Sequence, residues 1–337
     1  MKEFNKIDKL FIKSNNTVFK IYSRYLYCLI PFLILIIIYN LIWGSTTNII
    51  SLLLSTTISL ITVTIAKMII NLVNKQKNNL KKILLEDNLL SIAIIISLFS
   101  YECTIPIIIF SSIITIIIKT LFKTKNLSAS LYGILILLIS KYYITNIDSP
   151  LINLSKLSYI DSYNNIVTPY GNIIKYILGL TPYYLSPILS VGSFMYLFHK
   201  KSIKYNIVFS YIITIIFSML FFGLFNNMNI WFLIFQLTTG NILFLTTFIL
   251  PVYQDTPTTS EGQIIYGLIL GLITFILRFV IPELSVVVAL IIGPFILTKI
   301  LNKISFKLKY NQKFYYTIIT IIIILIIITN TILNIII

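Results

Sequence analysis

Five ionisable side chains, Lys67, Glu102, Lys119, Arg278 and Glu283, stand within or beside long apolar runs, where a charge is most costly and so most often functional. Each lies near the end of its run, where a long side chain reaches the polar interface by snorkelling. The one histidine, His199, sits beside Lys200 and Lys201 and reads as part of an interfacial basic cluster rather than a proton relay. Cys28 and Cys103 are too few for a disulfide framework or a four-thiolate metal site, although one of them could join a site shared with another subunit. No glycine-rich phosphate loop and no metal-ligand spacing occurs. A self-contained ion pump would carry more charge at membrane depth, so ion movement here calls for partner chains. The remaining polar concentration is the stretch 146–184, rich in Asn, Ser, Tyr and Pro, with Asp148 and Asp161 as its acids and Thr168-Pro169 in a turn-forming context.

The elements that must position these groups are helices in a bilayer. Of the 337 residues, 58% are hydrophobic and 11% charged, with a mean hydropathy of +0.96, far more apolar surface than a soluble core hides. The sequence predicts an all-α, polytopic transmembrane bundle of about 10 to 11 spans: 26–43, 49–72, 88–101, 104–122, 128–145, 185–199, 204–224, 231–252, 264–279, 283–300 and 315–337. The net charge of +16 would suggest nucleic acid in a soluble domain, but the basic residues flank apolar spans, which points to the lipid bilayer and no nucleic acid. Of the 26 Lys and Arg residues, only Lys141, Lys156, Lys175 and Arg278 fall outside one alternate set of gaps. By the positive-inside rule that set is cytoplasmic, which places the N-terminus in the cytoplasm and 146–184 outside the cell membrane. The first 24 residues are polar and basic and predict no cleavable signal. A loop as long as 146–184 is usually functional or disordered, and Gly171 to Leu180 is apolar enough to lie on or dip into the membrane. The break Tyr101-Glu102-Cys103-Thr104-Ile105-Pro106 makes 88–122 either an ordinary hairpin or a pair of half-helices. No inverted repeat is evident in the sequence.

Leu10-Phe11-Ile12-Lys13-Ser14, then Arg24 and Leu29-Ile30-Pro31, resemble the opening of the D subunit family of Rnf electron-transport complexes. Further on, Asp255-Thr256-Pro257-Thr258-Thr259-Ser260-Glu261-Gly262-Gln263 resembles that family's Thr-Ser-Pro-rich loop. It runs into a helix with Gly267-x-x-x-Gly271, then Arg278 and Pro282-Glu283 in the family's order. Thr168-Pro169 lies where this family, and the related B subunit of the sodium-translocating NADH:quinone reductase, has Ser-Gly-Ala-Thr; here Asn165-Ile166-Val167 precede the threonine. The resemblance implies a membrane domain over 1–300, with 146–184 as an extracytoplasmic flavin-site loop, followed over 301–337 by a basic cytoplasmic linker and an added transmembrane helix. It also implies that Thr168 carries FMN as a phosphoester on its hydroxyl, placed there by a flavin transferase. The expected function is that of one subunit of an ion-translocating oxidoreductase complex. Its flavin would relay electrons between ferredoxin and NAD sites on other Rnf-type subunits, with no complete active site in this chain alone. The rival expectation is a multi-helix transporter or lipid-linked saccharide-processing protein, in which Tyr163, Tyr170, Tyr183 and Tyr184 of the same loop would stack on sugar rings.

Overall fold

The computed structural model describes residues 18–42, 46–74, 88–100, 103–121, 127–144, 177–178, 185–225, 231–251 and 256–294. Every regular element among them is helical: α1 Val18–Ile42, α2 Thr46–Val73, α3 Leu89–Phe99, α4 Ile105–Leu121, α5 Ser130–Leu138, α6 Pro187–His199, α7 Tyr205–Phe225, α8 Trp231–Thr238, α9 Ile242–Phe248, α10 Ser260–Val280 and α11 Ser285–Ile292. A 3₁₀ turn, Leu127–Ala129, precedes α5, and a π-helical segment, Ile139–Ile144, continues it. Helices α1, α2, α7 and α10, and α5 with its extensions, are long and apolar enough to cross a membrane; α3, α4 and α6 are shorter apolar helices. The multi-pass helical bundle expected from the sequence is therefore present. The expected final span 315–337 and most of the 146–184 loop lie outside the described residues.

Local chemistry explains the helix limits. Ser186 caps α6 by accepting from Leu189 N at 3.4 Å, with Pro187 in the first turn. Thr259 caps α10 by accepting from Gly262 N at 3.2 Å, with Glu261 at the positive helix end. Within the spans, hydroxyls turn back on their own helices: Ser55, Ser97, Ser111, Thr115 and Thr214 all donate to carbonyls three or four residues earlier. These hydroxyls are thereby satisfied within their own helices. Large exposed residues such as Ile34, Leu53, Ile61 and Phe217 form the lipid-facing surface.

Two departures from the expected spans matter. The run 231–252 is not one helix: α8 and α9 are separated at Gly240 and Asn241, with φ of 66° and 56°. This left-handed pair is cheap for glycine, tolerable for asparagine and incompatible with a continuing α-helix. The second departure is a repeat. Helix α2 packs on α4 as α7 does on α10; α4 pairs with α5 as α10 does with α11; α1 pairs with α3 as α6 does with α9; and α3 meets α5 as α9 meets α11. Between the units, α1 meets α6 and α5 meets α11, two counterpart pairs in contact, in keeping with a two-fold relation. Asn88, which opens α3, has φ 57° and ψ 29°, and Asn241, which opens α9, has φ 56° and ψ 25°. The repeat that the sequence hid is thus expressed in the packing order. The segment 88–122 resolves into α3 and α4 joined by a short turn, with Pro106 in the first turn of α4.

Candidate functional site

The 146–184 loop attaches to the bundle through the end of α5 and the start of α6, and those roots are where the buried charges gather. Thr168 itself lies outside the described residues, as do Glu102, Asp148, Asp161, Tyr163, Tyr170, Tyr183 and Tyr184; Ile177 and Leu178 are helical. At the α6 root, Leu185 N donates to Asn241 Oδ1 at 2.7 Å, so the chain returning from the loop is fastened to the break between α8 and α9. Thr247 Oγ1 adds a 3.3 Å bond to Ser190 O one turn into α6. Helix α6 has 13 residues, roughly 20 Å, which is less than a ~30 Å hydrocarbon core.

The break is in turn held by Arg278. Its Nη2 donates to Gln236 O and Thr239 O, both at 3.0 Å, and to Thr239 Oγ1 at 2.8 Å; its Nε donates to Gln236 Oε1 at 2.9 Å. Ending α8 in mid-bundle leaves carbonyls that neither water nor a following turn can satisfy. The planar guanidinium supplies several donors in fixed directions, and its positive charge meets the negative end of the helix. The sequence placed Arg278 at a span end, where it could snorkel; instead the side chain is 4% exposed and turns inward. One turn earlier on α10, Thr274 Oγ1 and Tyr211 OH of α7 lie 2.9 Å apart, extending the polar layer to a third helix.

Beside this knot, Glu283 precedes α11 and is 2% exposed. Lys141 of the π-helical segment is 4% exposed, with Nζ 5.3 Å from the Tyr142 ring centroid. A π-helical segment often marks a functional position because its extra residue redirects the following side chains. Counted from the sequence with the outer-gap cations, Lys141 is a buried charge that hydropathy alone conceals. Cys103 Sγ lies 3.9 Å from both Leu137 O on α5 and Ser140 Oγ in the π-helical segment, and Cys28 is buried. Lys119 is buried at the opposite end of α4, and Lys67 is half-buried.

At that opposite end, the Thr-Pro-rich stretch is also tied down. Lys204 Nζ donates to Thr256 O, Thr256 Oγ1 and Pro257 O at 3.2, 2.8 and 3.0 Å, and Gln263 Nε2 donates to Pro257 O and Thr258 O at 3.3 and 3.4 Å. Arg24 Nη1 reaches Lys200 O at 3.0 Å and Ser202 Oγ at 2.8 Å, joining α1 to the α6–α7 turn. Sequence reasoning missed Lys204 and Arg24 as anchors because each finds a partner far away in the chain. The arrangement is thus a mount for a large loop, built on buried charge and a helix break. A family model described as the NQR2, RnfD, RnfE family matches residues 7–304, and no curated protein matches the chain.

Proposed function

The chain belongs to the NQR2, RnfD, RnfE family and is a membrane subunit of an Rnf- or Nqr-type complex, and on that premise we propose that it is the D-type subunit of an Rnf complex, carrying FMN on Thr168. The observation that carries this reading is the mount: Arg278 clamps the helix break, and Asn241 of the break fastens the return of the loop that contains Thr168. The threonine hydroxyl is the chemistry a phosphoester to FMN needs, and a tether on a fastened loop keeps the group near the membrane edge. When bound, FMN supplies reversible one- and two-electron chemistry, the property a relay between ferredoxin and NAD sites on other subunits requires. The chain's own residues position. Asn241 and Arg278 fix the loop root, while Lys141, Arg278 and Glu283 set a local field beneath it. The positive-inside pattern supports a cytoplasmic N-terminus and an extracytoplasmic loop.

Denaturing gel electrophoresis of the complex produced with its flavin transferase tests this reading. Under ultraviolet light the wild-type band should fluoresce and the Thr168→Val band should be dark. A dark wild-type band, with flavin transfer to another subunit verified in the same sample, would remove the covalent relay. A second reading, a solute transporter, is favoured by the repeated packing order and by the helix break between α8 and α9, a device secondary transporters use to build midplane sites. Substrate-dependent uptake by proteoliposomes containing this chain alone would establish it.

A further inference from the structure

The turn between α6 and α7 carries exposed charge that the mount does not use. His199 ends α6, Lys200 and Lys201 follow it, and all three are exposed. The Arg24 guanidinium is held at the same turn by Lys200 O and Ser202 Oγ. From Leu185 to Gln254 the sequence contains no aspartate or glutamate. Among the described residues the only acids are Glu261, which opens α10 beyond the Thr-Pro stretch, and Glu283 at the other end of the bundle. The backbone of Lys201 is unusual as well, with φ 50°, where Lys201 N donates to Phe198 O and Ser202 N to Leu197 O, both at 2.9 Å. Glycine is the residue that closes a helix in this way at least cost. Here the position is given to a cation instead.

Directly beneath the turn, four rings join the two helices. Helix α6 packs on α1 and α9, and α7 on α8 and α10. What spans from one to the other is a ladder: Phe194 meets Phe209 edge-on at 5.5 Å, Phe198 meets Tyr205 edge-on at 5.2 Å, and Phe194 and Phe198 stack at 6.1 Å. Phe198, Tyr205 and Phe209 are nevertheless 44%, 47% and 47% exposed, so the ladder turns an open aromatic face to the lipid. Phe194 and Phe209 lie five and four residues from the ends of their helices, roughly 6–8 Å along the axes. That depth is comparable with one headgroup layer, about 5–8 Å thick. A phosphate at the basic turn therefore leaves its acyl chain level with the rings. Basic residues just outside a span favour a lipid of net negative charge, because a zwitterionic headgroup carries its own ammonium.

We propose that the α6–α7 turn and its ring ladder form a site for one anionic phospholipid, with the phosphate on Lys200 and His199, in the field of Lys201, and an acyl chain along Phe198 and Phe209. The site stands independently of the flavin reading. The test uses the full-length chain with its two tryptophans, Trp43 and Trp231, replaced by phenylalanine and Phe198→Trp installed as a local reporter that keeps a ring in the ladder. In phosphatidylcholine vesicles, its fluorescence is quenched by rising fractions of dibrominated phosphatidylglycerol or dibrominated phosphatidylcholine. Phosphatidylglycerol should quench preferentially and saturably, with a relative association constant of at least roughly fivefold, the attraction expected of one interfacial lysine. Lys200→Gln with Lys201→Asn, asparagine tolerating the left-handed backbone, should bring the ratio close to one. Removing the same charge at Lys75 and Lys77, in the basic stretch after α2, should leave it unchanged. Equal quenching by the two lipids is the result for an ordinary lipid-facing surface, or for one kept for a protein partner, and would overturn the site. An equal fall in both double variants would mean general attraction to a charged bilayer and would also overturn it. Should the Lys200, Lys201 variant fail to fold, Lys200→Gln alone decides: the preference should fall several-fold, and an unchanged preference would contradict the proposal.

Discussion

At the scale of single residues, the account turns on Arg278. Its donors close the carbonyls that the break in α8 exposes, and a lysine, with one compact ammonium, cannot reproduce the four bonds made from Nε and Nη2. Arg278→Met should destabilise the chain by roughly 2–5 kcal/mol, because Gln236 O and Thr239 O would be left buried and unmet. Arg278→Lys should recover only part of that, and thermal unfolding in nanodiscs checks both. Asn241 separates backbone from side chain. Asn241→Gly keeps the φ of 56° but frees Leu185 N, whereas Asn241→Ala loses both, so alanine should unfold lower by about 1 kcal/mol more than glycine.

At the scale of elements, α7 packs closely against α10, made possible by Gly267 and Gly271. A Cβ on Gly267 would collide with Ser210 Oγ and stand 2.5 Å from Ile207 O; one on Gly271 would lie 2.8 Å from Thr214 Cβ and 3.0 Å from Tyr211 O. Backbone atoms cannot swing aside, so Gly267→Ala should cost about 1–3 kcal/mol by forcing the helices apart. Gly192→Ala is the control: nothing lies within 4 Å of its added methyl, and the change should be neutral or stabilising by up to ~1 kcal/mol. Comparing the two unfolding midpoints separates close approach from mere glycine flexibility. The Gly267-x-x-x-Gly271 spacing is compatible with close helix approach or with mere flexibility, and the packing selects close approach. The sequence could not show the break in 231–252, since α8 and α9 are alike in hydropathy. Gly240-Asn241 was the available signal, legible only as a backbone need for positive φ.

At the scale of the whole molecule, the helical membrane class was legible because hydropathy and charge placement need no tertiary information. The inward turn of Arg278 and the burial of Lys119, Lys141 and Glu283 were not, because a charge near a span end looks the same whether it faces lipid headgroups or a helix break. The repeat left only faint traces, a Leu-x-Pro at Leu29–Pro31 and again at Leu185–Pro187, and an asparagine opening both α3 and α9. Orientation follows from charge placement and has a direct test. With Cys28 and Cys103 replaced by serine, a cysteine at Asn165 should react with an impermeant maleimide in intact cells, and one at Asn78 should react only after lysis. The opposite pattern would invert the topology and place the Thr168 loop inside. The central claim is the flavin on that loop, and peptide mass spectrometry of the intact complex, produced with its flavin transferase, addresses it most directly. The account predicts an FMN phosphoester on the peptide containing Thr168, absent from Thr168→Val. Recovery of that wild-type peptide wholly unmodified, from a sample in which the transferase has modified another subunit, would contradict it.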